Sequence, residues 1–115
     1  MTYVDGFVLA IPKANIEAYR KVAIEAGKVW MEYGALSYME CMGDDVPPGE
    51  VTSFPMAVKA KDDEIVFFSW VTYASREKRD EVMKKVMDDP RFKDADMPFD
   101  GKRMIYGGFE GFVEY

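Results

Sequence analysis

The chain has 115 residues, of which 15 are Lys or Arg and 21 are Asp or Glu, giving a formal net charge of −6, and this length predicts one domain over residues 1–115. The acidic balance and the scattered basic residues argue against nucleic-acid binding, and no apolar run approaches the roughly 20 residues that span a bilayer. The first residues lack a signal-peptide pattern and the single cysteine fits a reducing compartment, so we expect a cytoplasmic protein without membrane contact.

The first part of the chain predicts a strand, a long helix and a second strand. Apolar residues from Tyr3 to Ile11 indicate a strand that Pro12 ends. Helical spacing then begins, with Asn15 as the cap and Gly34 at the end. Residues 35–42 return to a strand pattern, and the polar residues 43–50, rich in Pro and Gly, predict an exposed loop.

The middle of the chain predicts a third strand and a second helix. Residues 53–61 suggest a short extended segment, and residues 64–73 form an apolar strand after an Asp-Asp turn. Ser75 is the expected cap of the second helix, whose core positions are Val82, Met83, Val86 and Met87.

The last part predicts a fourth strand with unusual glycines. Pro90 ends the second helix, and Phe92 is expected to attach a short irregular segment to the core. The final strand runs from about Lys102 to Tyr115. Glycine weakens a strand interior, so Gly107 and Gly108 require a structural reason.

The order of elements predicts an α+β protein with a ferredoxin-like β-α-β-β-α-β antiparallel sheet, in which both helices cover one face. Residues 64–73 are nevertheless apolar almost throughout, so both faces of their strand require burial. A second copy of the chain is the simplest cover for the open face. We therefore predict a homodimer that packs sheet on sheet.

Three segments identify a family. Residues 97–109, which read MPFDGKRMIYGGF, together with residues 3–7 and 89–91, resemble the YbaA-like bacterial proteins, a family of unknown function also called domain of unknown function 1428. This resemblance covers the whole chain and implies a dimeric α+β barrel, the dimeric α/β barrel superfamily that includes cofactor-independent monooxygenases and haem-binding members. It implies no catalytic residues, because such scaffolds carry unrelated functions.

The composition excludes several kinds of chemistry. Without histidine, the chain has no Ser-His or Cys-His pair, no histidine-ligated haem and no histidine-based metal site. The Asp-Asp doublets fit turns better than cation sites, and Cys41, in an apolar strand, is expected to be an unreactive thiol. We therefore expect neither a metal nor a cofactor.

Candidate site residues are polar or aromatic side chains within apolar strands. Arg103 is the candidate anchor for a ligand anion, Tyr106 and Trp70 are candidate walls, and Glu40 or Asp5 is a candidate base. The alternative is structural, with Arg103 in an ion pair across the sheet or at a dimer interface.

Two functions remain open on the sequence, and it does not decide whether the protein is an enzyme. The first is a small-molecule-binding or regulatory homodimer whose cavity is lined by aromatic residues and methionine. The alternative is a cofactor-independent enzyme, monooxygenase-like or isomerase-like, acting on a small acidic or aromatic substrate.

Overall fold

A computed structural model describes residues 1–115. Four strands form one antiparallel sheet in the order β2-β3-β1-β4, and four helices accompany it. The strands are β1 (Tyr3–Pro12), β2 (Ser37–Met42), β3 (Glu64–Tyr73) and β4 (Ile105–Glu110). The helices are α1 (Ile16–Glu32), α2 (Phe54–Ala57), α3 (Arg76–Asp88) and α4 (Pro90–Lys93). None of the helices is long and apolar enough to cross a membrane.

The two central strands set the faces of the sheet. β1 and β3 pair over their full length, from Tyr3 opposite Tyr73 to Pro12 opposite Glu64. Because side chains alternate along a strand, the odd-numbered residues of both strands share one face and the even-numbered residues share the other.

The long helices α1 and α3 cover the face that carries the odd-numbered residues. Trp30 of α1 and Val82 and Val86 of α3 pack with Tyr3 and Tyr73 in the largest buried cluster. A second cluster on this face joins α1 to the other end of the sheet and contains Leu9, Ile11, Tyr19 and Phe67. The apolar positions of the two helices therefore meet the apolar residues of the central strands.

The opposite face is largely open. Val58, which follows α2, packs on Val8, Ala10 and Val66 and covers one end of it. Elsewhere large apolar side chains reach solvent, and Phe109 is 64% exposed. The exposed members include Met39, Phe68, Ile105 and Phe109.

Helix boundaries follow local side-chain capping. The Ser75 hydroxyl accepts a hydrogen bond from the Lys78 amide, as the sequence predicts for a cap of α3. Gly34, with φ of 114°, follows the end of α1 in the left-handed conformation that favours glycine. Asn15 precedes α1, but its side-chain amide donates to the Pro98 carbonyl instead of capping the helix.

Three local predictions differ from the structure. The expected extension at residues 53–61 contains the helix α2, because the Ser53 hydroxyl caps it and Pro55 occupies its first turn. The segment around Phe92 is the short helix α4, capped by the Asp89 carboxylate. The last strand is shorter than residues 102–115: residues 101–103 form a 3-10 turn capped by Asp100, and the strand ends at Glu110.

Gly108 is required by a close approach of side chains. A Cβ atom at this position would collide with the Arg79 guanidinium and lie 2.5 Å from the Tyr3 hydroxyl. Arg79 reaches over β4 in this way because its guanidinium binds Asp5 on the adjacent strand. The glycine therefore makes space for a partly buried ion pair.

The first and last residues of the chain lie together at one end of β1 and β4. The Thr2 amide and hydroxyl donate to the Glu114 carboxylate at 2.7 and 2.8 Å. The Gly111 amide donates to the Thr2 carbonyl at 2.7 Å. These contacts hold the segment after β4 against the start of β1.

Candidate functional site

A cavity of about 550 Å³ lies between the helix-covered face of the sheet and the helices α1 and α3. Of the 19 residues that line it, 16 are hydrophobic. Its wall includes aromatic residues from the sheet and from α1, namely Phe7, Tyr38, Tyr106, Tyr19 and Trp30, and Phe92 and Phe99 from the segment after α3. The cavity is therefore a predominantly apolar, aromatic space.

Four methionines contribute to the same wall. Met83 and Met87 come from α3, and Met97 and Met104 come from the segment that leads to β4. Methionine is unbranched and flexible, so this part of the wall can adapt to ligands of different shape.

Glu40 is the only charged side chain among the lining residues. Its Oε1 accepts a hydrogen bond from the Tyr19 hydroxyl at 2.8 Å, and its Oε2 accepts one from the Tyr38 hydroxyl at 2.7 Å. None of the ion pairs in the structure includes Glu40. Two neutral donors therefore orient this carboxylate without neutralising its charge.

The two tyrosines remain protonated donors over the physiological range. Burial is the main cause that raises the pKa of Tyr19 and that of Tyr38 far above the ordinary value, and the nearby Glu40 charge raises both pKa values further. Because an ionised phenol beside a carboxylate is so unfavourable, each hydroxyl keeps its proton and donates a hydrogen bond to Glu40.

Ser69 is the second polar group of the cavity. It is buried, and it lies directly opposite Glu40 in the pairing of β2 with β3. Both side chains point to the helix-covered face, so a carboxylate and a hydroxyl stand side by side in an otherwise apolar wall.

A second, more polar groove adjoins the cavity. It has a volume of about 390 Å³, includes Arg20, and shares Tyr19, Tyr38 and Glu40 with the cavity wall. The Tyr-Glu-Tyr cluster, defined as Tyr19, Glu40 and Tyr38, therefore forms part of both spaces.

Arg103 lies away from the cavity wall. Its guanidinium binds both carboxylate oxygens of Glu64, at 2.8 and 2.7 Å, and its Nε donates to Asp100 at 3.0 Å. The hydrogen bonds from Arg103 lower the pKa of Glu64 to about 2. This is a bidentate ion pair at one end of the sheet, which is the structural alternative that the sequence left open.

Asp5 is buried on the helix-covered face and is also bound within the protein. Its Oδ1 accepts from Arg79 Nε at 3.2 Å, and its Oδ2 accepts from the Tyr73 hydroxyl at 2.9 Å. The Tyr73 hydroxyl in turn accepts from the Trp30 indole at 3.0 Å. Asp5 thus belongs to a buried network and not to the cavity wall.

The two aromatic candidates lie on opposite faces of the sheet. Tyr106 lines the cavity and stacks on Phe7, with ring centroids 6.4 Å apart. Trp70 is an even-numbered residue of β3 on the open face, where its ring meets Phe68 edge-on at 5.8 Å. Of the five candidates, the structure brings Glu40 and Tyr106 to one cavity and leaves the other three elsewhere.

Sequence reasoning missed Tyr19, which is hydrogen-bonded to Glu40, and Ser69, which lies opposite Glu40 in the sheet. Tyr19 lies in α1, and helical spacing alone gives no sign that its hydroxyl reaches β2. For Ser69 a signal existed, because a serine inside the apolar run 64–73 is a polar exception of the kind used to select Glu40. Only the pairing register of β2 with β3 shows that Ser69 lies opposite Glu40.

Metal binding finds no support in the arrangement of side chains. No group of three or more His, Cys, Asp or Glu residues lies close enough together to hold a metal ion. Glu40 is surrounded by tyrosines, and Asp5 and Glu64 each bind an arginine.

The fold and the cavity define an α+β protein with a four-stranded antiparallel sheet and an apolar space between sheet and helices. The chain belongs to the family described as "Protein of unknown function (DUF1428)", whose model matches residues 2–101. It is 53% identical over 116 residues to "Uncharacterized protein YbaA" of Escherichia coli K12 and to the protein of that name in Shigella flexneri, with 99% of both chains covered. The resemblance seen in the sequence is therefore confirmed.

A solved structure from another bacterium has a similar fold. The chain aligns with Rv0793 from Mycobacterium tuberculosis at a TM-score of 0.56 and 14% sequence identity, covering 99% of this chain and 98% of that one. At this identity the likeness concerns the fold alone.

Proposed function

We propose that this protein is a small-molecule-binding homodimer whose ligand occupies the cavity between the sheet and the helices α1 and α3. The observation that carries the proposal is the cavity itself: its volume of about 550 Å³ falls within the range of roughly 300–1,000 Å³ typical of ligand pockets. Its apolar wall with two adjacent polar groups, Glu40 and Ser69, has the composition of such a pocket.

The fold part of the proposal is a ferredoxin-like protomer that pairs into a dimeric α+β barrel. The strand order β2-β3-β1-β4 and the position of both long helices on one face support the protomer. The exposed apolar residues of the opposite face support the pairing, since contiguous apolar surface of this kind is characteristic of an interface.

The distribution of charge favours a second copy of the chain as the occupant of the open face. Two chains that each carry −6 repel one another, so they associate best through a surface without acids. The open-face side chains at alternate residues of 4–10, 37–41, 66–72 and 105–109 are uncharged. The acid of this face, Glu64 at the start of β3, is paired with Arg103. A symmetric sheet-on-sheet contact buries the same residues from both copies.

The observation that favours an enzyme as the second candidate is the position of Glu40. It is a carboxylate beside an apolar space, which is the arrangement of a general base in cofactor-independent proton transfer. Both of its oxygens already accept hydrogen bonds from tyrosine hydroxyls, so neither oxygen is without a partner inside the protein. We therefore rank binding or ligand-dependent regulation first.

The test combines native mass spectrometry of protein purified directly from cells with a cavity-filling variant. Val22 lines the cavity, so Val22→Phe places a larger side chain in the ligand space. The matched control is Val51→Phe, because Val51 lies in a loop and is 96% exposed.

We expect a dimer that carries a bound small molecule in the wild type and in Val51→Phe, and a dimer without that molecule in Val22→Phe. A monomeric wild type would contradict the dimer. A ligand retained equally by both variants would place the binding site outside the cavity and overturn the proposed site.

A further inference from the structure

We propose that the cavity selects an organic cation, an ammonium group attached to an apolar body, and disfavours carboxylates and phosphates. This inference rests on the proposed function, because it assigns a ligand class to the same cavity. It differs from the acidic substrate that the sequence suggested, since the arginine expected to bind an anion is not in the wall.

The first support is the charge of the wall. Glu40 is the one charged residue among the 19 that line the cavity, and it has no cationic partner. Arg20 lines the adjacent groove, but its guanidinium is paired with Glu17 at 3.2 Å on the surface. A partly buried carboxylate without a counter-ion is unfavourable, and a bound cation would supply one.

The second support is the number of acceptor sites that remain on Glu40. An ionised carboxylate has about four lone-pair positions, and the Tyr19 and Tyr38 hydroxyls occupy two. The remaining positions, together with the neighbouring Ser69 hydroxyl, are available to the N–H groups of an ammonium ion.

The third support is the aromatic character of the wall. Seven of the lining residues are Phe, Tyr or Trp, and two of them, Tyr19 and Tyr38, are hydrogen-bonded to Glu40. Aromatic faces attract cations through the ring quadrupole, and cages of aromatic rings recognise ammonium ligands in this way. An anion in the cavity would be repelled by the Glu40 charge and by the negative faces of the rings. No cation in the wall would compensate for the loss of its hydration.

The remaining apolar surface fits the body of such a ligand. The methionines Met83, Met87, Met97 and Met104 and the Phe7–Tyr106 pair line the same cavity as Glu40. An aromatic or alkyl group attached to the ammonium would pack there while the charged end meets Glu40. The net charge of −6 adds a long-range attraction for cations.

The test is calorimetric titration with three probes of one shape and different charge: tryptamine as the cation, 3-ethylindole as the neutral compound and indole-3-propionate as the anion. We expect wild-type protein to bind tryptamine at least about tenfold more tightly than 3-ethylindole and to bind indole-3-propionate most weakly. The preference for the cation should disappear in Glu40→Gln. It should persist in Glu50→Gln, the matched control, which removes the same charge from the exposed loop.

The outcomes separate this inference from the proposed function. Equal binding of the three probes, or tightest binding of indole-3-propionate, would overturn the cation preference while leaving a ligand cavity in place. Failure of all three to bind would contradict the ligand cavity as well. The ranking in wild-type protein is decisive even if Glu40→Gln is poorly folded.

Discussion

Glu40 and Glu64 are both glutamates of the sheet, and both have their two carboxylate oxygens held by hydrogen bonds. The side chain of Glu64 is 3% exposed and is bound by the Arg103 guanidinium. The carboxylate of Glu40 is held by two tyrosine hydroxyls beside a cavity. The difference lies in the donor: a cation neutralises one carboxylate, and neutral phenols leave the charge of the other available.

This comparison extends to Asp5, whose carboxylate is bound by Arg79. Two arginines near the sheet thus pair with acids and serve the structure. Of the three acids Asp5, Glu40 and Glu64, the one without an arginine is at the cavity. An ion pair that is removed at one partner destabilises the fold, whereas a carboxylate that serves a ligand affects binding first. Substitutions in the ion pairs should therefore lower stability, and substitutions at Glu40 should lower ligand affinity.

Arg103→Ala should have the largest effect of the predicted changes. It leaves the buried Glu64 carboxylate without its cation, and loss of one partner of such a pair lowers the free energy of unfolding by about 3–5 kcal/mol. Urea unfolding measures the change, and tryptamine affinity of the folded variant should stay within about twofold of wild type. Arg20→Ala is the control and should cost less than about 1 kcal/mol, because the Arg20–Glu17 pair is exposed. A wild-type stability for Arg103→Ala would remove the contrast between the two glutamates.

The Arg103–Glu64 pair should also make the stability of the protein depend on pH. Because Arg103 lowers the pKa of Glu64 from 4.5 to about 2, the unfolded chain binds a proton at higher pH than the folded one. The contribution is complete above about pH 4.5 and is lost as the pH falls toward 2, a change of about 3 kcal/mol. Unfolding curves between pH 6 and 2 measure it, and Glu64→Gln should show a shallower decline than wild type. Parallel curves for the two proteins would contradict the assignment.

Gly108→Ala should disturb the pair that holds Asp5. The added methyl group collides with the Arg79 guanidinium and the Tyr3 hydroxyl, so Arg79 must withdraw from Asp5. We expect a loss of about 1–3 kcal/mol in the free energy of unfolding. Gly101→Ala is a matched control, because nothing lies within 4 Å of a Cβ atom there. If the two substitutions have the same effect, close packing is not the reason for the glycine at residue 108.

Glu40→Gln should have the smallest effect on stability. The glutamine carbonyl oxygen can still accept from one tyrosine hydroxyl, and the amide nitrogen can donate to the other hydroxyl oxygen. We therefore expect the free energy of unfolding to change by less than about 1 kcal/mol. Glu64→Gln makes the comparison direct, because the same substitution there removes a charge that Arg103 requires. Thermal unfolding of both variants is sufficient, and a larger loss for Glu40→Gln would assign a mainly structural role to Glu40.

The regular elements were largely predictable because their apolar spacing is dictated by packing. The third strand is Glu64–Tyr73 as predicted, and α1 lies between Asn15 and Gly34 as predicted. Errors occurred where local capping decides the structure. Residues 53–61 and 101–103 form short helical turns through the side chains of Ser53 and Asp100, which spacing alone does not reveal.

The site was predictable only in part because its residues come from separate elements. Glu40 was selected as a polar exception in an apolar strand, and Tyr106 as an aromatic residue of the last strand. Assigning Trp70 to the same wall required knowing which face each strand presents, and the register places it on the other face. Arg103 was selected for its charge, but its partner Glu64 lies 39 positions away in the chain and follows from the tertiary structure alone.

The contacts of Thr2 with Glu114 and Gly111 make this fold suitable for circular permutation. Since residues 2 and 114 are hydrogen-bonded, a short peptide linker can join the two ends of the chain without bending β1 or β4. New ends opened within residues 43–50, which lie between β2 and α2, would leave all four strands intact. A permuted chain built in this way should keep the strand order β2-β3-β1-β4 while its sequence begins at a different element.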